Sequence, residues 1–246
     1  MVGGRGRSAA ARLPSWAPGD SVTGVSISLP IFPLNTVLFP GVTLPLHIFE
    51  DRYRSLVSSL LALPEEERVF GVVAIREGYE VGSRGVHSVQ RLGCSAQLTS
   101  AEAYDDGRFD VEVVGRQRIR IDALDTGGEF LVGEVAWLDD DPGHGSQEAA
   151  ARAMLTFEAY RDLLTELRGE GVLPSDDQPM DPTGLSYSLA ATCLLTQTDR
   201  QALLEADDAA ARLGLATSMM RTEMAAMRAV PSLPATEVAR TGWSPN

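Results

Sequence analysis

Leu29-Pro30-Ile31-Phe32-Pro33-Leu34-Asn35-Thr36-Val37-Leu38-Phe39-Pro40-Gly41, with Leu44-Pro45-Leu46-His47-Ile48-Phe49 close behind, decides the architecture of this 246-residue chain. The run is apolar, yet three prolines in thirteen positions forbid a helix, so it has to be extended. Proline cannot donate to a sheet ladder, which predicts that Ser28–Leu34 is an edge or bent strand. Pro40-Gly41 predicts a turn, and Thr43–Phe49 a second extended segment.

Outward from this stretch the periodicity changes. Tyr53, Leu56, Val57, Leu60 and Leu61 share one face at 3.6 residues per turn, which predicts a helix over 51–63. Val69–Ile75 is a short continuous apolar run, the pattern of a buried strand. Val86–Thr99 reads as strand, Asp105-Asp106-Gly107 as a hairpin turn, and Phe109, Val111 and Val113 alternate with Asp110 and Glu112. The pattern breaks at Val114-Gly115 and resumes at Arg118–Ile121, as expected of a bulge or sharp bend. Phe130–Leu138 completes about six strands with one inserted helix, which predicts a small barrel and not a βαβ sheet.

Asp139-Asp140-Asp141-Pro142-Gly143 punctuates the chain, and beyond it the sequence turns alanine-rich and helical. Ala150, Ala153, Met154, Phe157, Tyr160, Leu164 and Leu167 form one stripe over 147–168. Thr183 or Asp181 is placed to cap a second helix, Thr198-Asp199-Arg200-Gln201 fits a capping box for a third, and a fourth over about 207–228 aligns Leu213, Ala216, Met220, Met224 and Met227. The expected organisation is α+β: a disordered tail over 1–25, a barrel subdomain over 26–141, a helical subdomain over 146–229 and a flexible tail over 230–246.

Composition narrows the function. All 21 basic residues are arginine, and a chain without lysine supplies no Walker A lysine, no Schiff-base lysine and no Ser-Lys dyad. The formal net charge of −13 argues against nucleic acid and anionic membrane as partners. No stretch approaches the roughly 18 apolar residues of a membrane span. The first twenty residues lack the apolar core of a secretory signal, and Cys94 and Cys193 have neither metal nor disulfide spacing. A cytoplasmic protein with two buried thiols is the expectation.

The chemical candidates reduce to ordinary structural roles. His47 and Glu50 are three apart but lie at a strand end beside proline, without a second ligand cluster. His144 reads as exposed linker. Gly184-Leu185-Ser186-Tyr187-Ser188 lacks the second glycine of a nucleophile elbow. The acidic pairs fall in turns, loops or helix starts, and the glycine-rich segment Glu77–Gly85 is acidic and does not lead from a strand into a helix. No catalytic, cofactor or metal site is expected. What stands out is the apolar, proline-kinked front of the barrel, because strand edges left unpaired accept extended peptides. Phe32, Leu34, Phe39, Leu46 and Phe49 are the candidate peptide-binding residues, with the barrel–bundle junction as part of the surface. Methionines on the last helix would add an adaptable surface if exposed, although their helical spacing favours core.

The opening stretch, continued through His47-Ile48-Phe49-Glu50-Asp51-Arg52-Tyr53, resembles the start of the N-terminal substrate-binding domain of Lon proteases. The resemblance runs in order through Phe70–Val73, Leu92–Ala96, Asp106–Phe109, Val114–Ile121, Gln201–Asp207 and Arg212-Leu213. It implies a PUA-like pseudo-barrel followed by a helical bundle, in a family where this unit precedes an ATPase module and a Ser-Lys peptidase. The chain ends where that ATPase is expected to begin. Asp51 departs from the family, where proline is common. The implied function is a non-catalytic module that binds unfolded or extended polypeptide, as an adaptor or quality-control factor, with a protease or chaperone as a possible partner. The alternatives are an accessory subunit of a separate ATPase-peptidase chain and, by fold analogy alone, an RNA-binding barrel.

Overall fold

The computed structural model describes residues 27–78, 86–168, 173, 181–229 and 244–245. The predicted disordered tail over 1–25 lies outside the described residues. So do residues 79–85 of the glycine-rich segment, residues 169–172 and 174–180, and 230–243 and 246 of the predicted flexible tail.

The fold is α+β. Six strands, β1 (Ile27–Leu34), β2 (Thr43–Ile48), β3 (Val69–Gly78), β4 (Val86–Ala103), β5 (Phe109–Asp125) and β6 (Leu131–Leu138), carry helix α1 (Asp51–Leu61) and a 3-10 turn at Glu65–Glu67 between them. Helices α2 (Ser146–Arg168), α3 (Pro182–Thr192), α4 (Gln197–Glu205) and α5 (Ala209–Ala229) follow, and Ser244–Pro245 forms a two-residue strand, β7. Pairings run in the order β4-β3-β1-β6-β5-β2-β7, and β4 also pairs with β5. The strands β4-β3-β1-β6-β5 therefore form a ring with β2 outside it. Register shifts in the β3–β4, β4–β5 and β5–β6 ladders leave this barrel not cleanly closed.

Of the two expectations for the first strand, edge or bent, the edge one needs correcting, because β1 sits between β6 and β3. Its two prolines survive there because the partners take turns. Ile27–Ile31 pairs antiparallel with β6, and Ile31–Leu34 pairs parallel with β3. Pro30 thus falls where only β6 is paired and Pro33 where only β3 is, so each half of the strand has one open side for the missing amide.

Elsewhere the local rules hold. Tyr53, Leu56, Val57 and Leu60 are the buried face of α1. The β4–β5 hairpin turns at Gly107, whose φ of +81° favours glycine. The break at Gly115 marks a close approach: a Cβ there would lie 2.1 Å from the Phe39 carbonyl oxygen. Asp181 caps α3 by accepting from the Gly184 amide at 2.8 Å, with Pro182 opening the helix. The capping residue of α4 is Thr196 and not Thr198. Its hydroxyl accepts from the Asp199 amide at 3.2 Å and donates to the Asp199 carboxylate at 2.7 Å, so the helix starts two residues earlier than the motif suggests. Met220, Met224 and Met227 are buried in the bundle core.

The two halves share a core. Val37 and Phe39 from the proline-rich stretch and Ala74 from β3 join the bundle's cluster, where the Phe39 ring lies 6.2 Å from that of Tyr187. Arg118, projecting from β5 and only 4% exposed, fixes this junction. It donates to the Asp140 carboxylate at 3.0 Å and to the carbonyls of Leu204 at 3.1 Å and Ala206 at 2.8 Å, the last at the C-terminal end of α4. Tyr187 donates to the same Asp140 oxygen at 2.5 Å. Arg212 stacks over the Tyr187 ring at 4.1 Å and donates to the Leu203 carbonyl and the Ser186 hydroxyl. Burial, joined by the Asp140 bond, pushes the Tyr187 phenol well up.

Replacing Arg118 by methionine keeps the bulk but strips the Asp140 carboxylate and two helix-end carbonyls of their guanidinium. The expected loss is about 3–5 kcal/mol, the range for removing one member of a buried pair. Urea unfolding measures it. A loss below about 1 kcal/mol, as for surface pairs, would mean that apolar packing alone holds the halves together.

Candidate functional site

Alternation along β4 divides its side chains. Cys94, Ala96 and Leu98 point into the barrel core, whereas Ser95, Gln97 and Thr99 point away from it. Next to this outer row the chain leaves a groove of about 480 Å³. Val69 and Trp137 supply its apolar surface, Glu65 and Glu66 add negative charge to the lining, and Arg116 contributes the opposite charge.

The groove is held by backbone-directed bonds. The Gln97 amide donates to the Glu65 carbonyl, and Leu98 N–H donates to the Arg68 carbonyl at 2.9 Å, fastening the 3-10 turn to β4. Ser95 donates its hydroxyl to the Gln117 carbonyl at 3.0 Å and accepts from the Gln117 amide at 3.1 Å. That hydroxyl is fully buried and spent on bridging two strands, not aimed at a substrate. The arrangement suits recognition: an apolar trough for a side chain, polar rims of both signs, and a framework whose own polar groups are satisfied.

A second polar cluster lies where β2 meets β5. His47 and Asp110 are directly opposite in the ladder, and His47 Nδ1 is 2.5 Å from Asp110 Oδ1. The Tyr104 hydroxyl donates to the other carboxylate oxygen, and Arg108 Nη1 lies 3.5 Å from His47 Nε2. The hydrogen bond from Tyr104, then that from His47, hold the Asp110 carboxyl below its usual range. This is a cross-strand lock at the end of the β2–β5 ladder. Among the described residues no group of three or more His, Cys, Asp or Glu side chains is arranged to hold a metal ion.

The structure sends the candidate peptide-binding residues elsewhere. Phe32, Leu34 and Leu46 are buried in the barrel core and Phe39 in the bundle core, each 2% exposed or less. Their side chains are therefore occupied with packing; Phe32 lies 4.1 Å from the Tyr53 ring centroid. Phe49 alone is half-buried, 6.2 Å from the His47 ring. The barrel–bundle junction is filled by the Arg118, Tyr187 and Phe39 contacts. The groove residues escaped the sequence reading because Trp137 lies on β6, far from β4 in the chain, and only the ring topology joins them. The polar row Ser95, Gln97, Thr99 was the available signal.

With this geometry in place, comparison with known proteins identifies the lineage. The model of the ATP-dependent protease La (LON) substrate-binding domain family matches residues 28–222. Lon protease of Escherichia coli K12 is 30% identical over 201 residues, covering 80% of this chain and 25% of that protein. Lon protease 2 of Syntrophobacter fumaroxidans is 27% identical over 215 residues, covering 82% and 25%. This chain thus spans about a quarter of the length of these curated relatives. The crystal structure of a Lon N-terminal domain protein from Xanthomonas campestris superposes with a TM-score of 0.55 at 25% identity, over 76% of this chain and 95% of that one. The N-terminal domain of a Mycobacterium avium complex Lon protease gives 0.59 at 19% identity, over 79% and 98%, a likeness of fold. The chain belongs to the Lon substrate-binding domain family.

Neither cysteine belongs to the groove or the lock. Burial pushes the Cys94 thiol far up and the Cys193 thiol up to about 12. Both are fully buried. Since the thiolate is the reactive form, neither should react with iodoacetamide at pH 8 in the native chain, and both should in urea. Mass spectrometry reads the outcome; rapid native labelling of Cys193 would show that the bundle opens locally.

Proposed function

We propose that this member of the Lon substrate-binding domain family is a non-catalytic module that binds unfolded or extended polypeptide segments as an adaptor or quality-control factor. The observation that carries the reading is the family match over residues 28–222. The groove beside Trp137 and Arg116 is its proposed contact surface, because an apolar trough with charges of both signs suits a polypeptide whose sequence is not fixed in advance. Of the five residues singled out from the sequence, Phe49 is the one whose half-buried side chain leaves it accessible to a bound segment. The 246 residues contain no lysine, so they supply neither an ATPase lysine nor a Ser-Lys dyad of their own. A net charge of −13 favours protein over RNA or anionic membrane as partner, and no helix among the described residues is long and apolar enough to cross a membrane. A cytoplasmic setting fits these features.

A second reading has its own support: the curated relatives are Lon proteases of which this chain spans about a quarter. On that reading it is an accessory subunit working with a separate ATPase-peptidase chain or a chaperone. Co-elution with such a chain from the source cell separates the two.

The test is fluorescence anisotropy with reduced, carboxymethylated α-lactalbumin as the unfolded probe. Binding weaker than micromolar is expected. The double variant Trp137→Ala, Arg116→Glu should lose affinity by about tenfold, or 1.4 kcal/mol. No binding at millimolar protein defeats the reading. Full affinity in the double variant moves the surface away from the groove. Incubation with casein and ATP should yield no cleavage.

A further inference from the structure

Strand β2 lies outside the barrel ring. β5 pairs along one side of it, and the strand order ends with β7 on the other. We propose that this outer edge of β2 is a strand-addition site for extended polypeptide, and that the chain's own Ser244–Pro245 segment occupies it in cis and competes with the client. The inference rests on the polypeptide-binding reading above and adds to it where the client's backbone pairs and what regulates access.

Pairing with β5 decides which polar groups of β2 face outward. Gly115 N–H on β5 donates to the Val42 carbonyl at 2.9 Å. The ladder then continues without a register shift from Thr43↔Val114 to Ile48↔Phe109. Backbone groups alternate sides along a strand, so Leu44, Leu46 and Ile48 turn their amides and carbonyls to β5, while Thr43, Pro45 and His47 turn theirs outward. The His47–Asp110 contact at 2.5 Å agrees, because opposed side chains come closest at a pair that does not exchange backbone bonds. The outer edge therefore offers the His47 amide and the Pro45 carbonyl as neighbours, and Pro45 contributes no amide.

Ser244–Pro245 meets that pattern. It runs parallel to β2, with Leu46↔Ser244 and His47↔Pro245. In this register the Ser244 amide faces the Pro45 carbonyl and the His47 amide faces the Ser244 carbonyl, the slanted pair of a parallel ladder. A parallel strand reaching further back along β2 would meet the nitrogen of Pro45, which has no proton to give, so the ladder begins at Ser244. Pro245 falls at the position whose amide would point away from β2, which also discourages a further strand from adding outside it. The two prolines frame one short docking position, Pro45 on the sheet and Pro245 on the added segment. Recognition there is by backbone, so it asks for an extended conformation and not a fixed sequence. A tethered segment competes at an effective concentration on the order of millimolar, enough to matter against weakly held clients.

The test compares the full chain, a form truncated after Ala229, and the point variant Ser244→Pro, which deletes the amide facing Pro45. Hydrogen exchange at the His47 amide, followed by NMR, should accelerate by about tenfold in both altered forms. Their affinity for reduced, carboxymethylated α-lactalbumin should rise at least about threefold, and a synthetic peptide of residues 240–246 should displace the probe from the truncated form. Unchanged His47 exchange overturns the proposal, because the edge would then not be covered. Accelerated exchange with unchanged polypeptide affinity also overturns it, because the covered edge would not be where clients bind. If neither form binds the probe while His47 still responds, the polypeptide-binding reading itself has failed, and the site proposal with it.

Discussion

Arg118 is the contact on which the arrangement depends. One guanidinium, rooted in a barrel strand, reaches the linker carboxylate of Asp140 and the carbonyls at the end of α4. Helix ends leave carbonyls without intrahelical donors, and here the other half of the molecule supplies them. A planar fork with five donors serves several acceptors at once, which a single ammonium on a flexible stem does less well. Arg212 repeats the device from the bundle side, stacked on Tyr187 and donating to Leu203 and Ser186. In a chain whose bases are all arginine, the junction uses that residue's particular geometry.

Because the junction is filled, the proposed recognition falls on outer surfaces. The groove uses the outward row of β4, whose inward row builds the core, so one strand shapes both. The β2 edge likewise carries outward-facing backbone groups, paired with Ser244–Pro245, while Leu46 and Ile48 anchor the strand inside. Rigid packing behind a binding surface limits the entropy lost on binding.

Much of the fold was legible locally. The stripe on α1, the alternation on β5 and the methionine face of α5 each report burial through a short-range period, and the structure buries those residues, Leu61 and Phe109 only in part. The break at Gly115 announced a bulge or bend, and a register shift in the β4–β5 ladder lies beside it. What could not be read locally was partnership. The prolines of β1 look like edge markers, yet the strand is interior because it exchanges neighbours at Ile31. The α4 cap lies two residues upstream because Thr196 and Thr198 both precede suitable partners, and only the backbone angle selects between them. Four of the five candidate binding side chains are buried for a related reason: a proline-rich apolar stretch signals exposed edges and buried cores equally well. Trp137 and Arg116 share a groove only through strand pairings that no local pattern records.

The exchange of neighbours in β1 also bears on synthesis. Ile27 pairs with Val135, more than a hundred residues later. A chain emerging from the ribosome shows its most apolar strand first and receives that partner only once the whole barrel sequence has been made. Such long-range closure slows folding, because loop entropy is lost before contacts compensate it. Throughout that interval a segment of Leu, Ile and Phe stands open to neighbouring chains. Pro30 and Pro33, harmless in the finished barrel, then act as guards against intermolecular β-aggregation of the nascent chain.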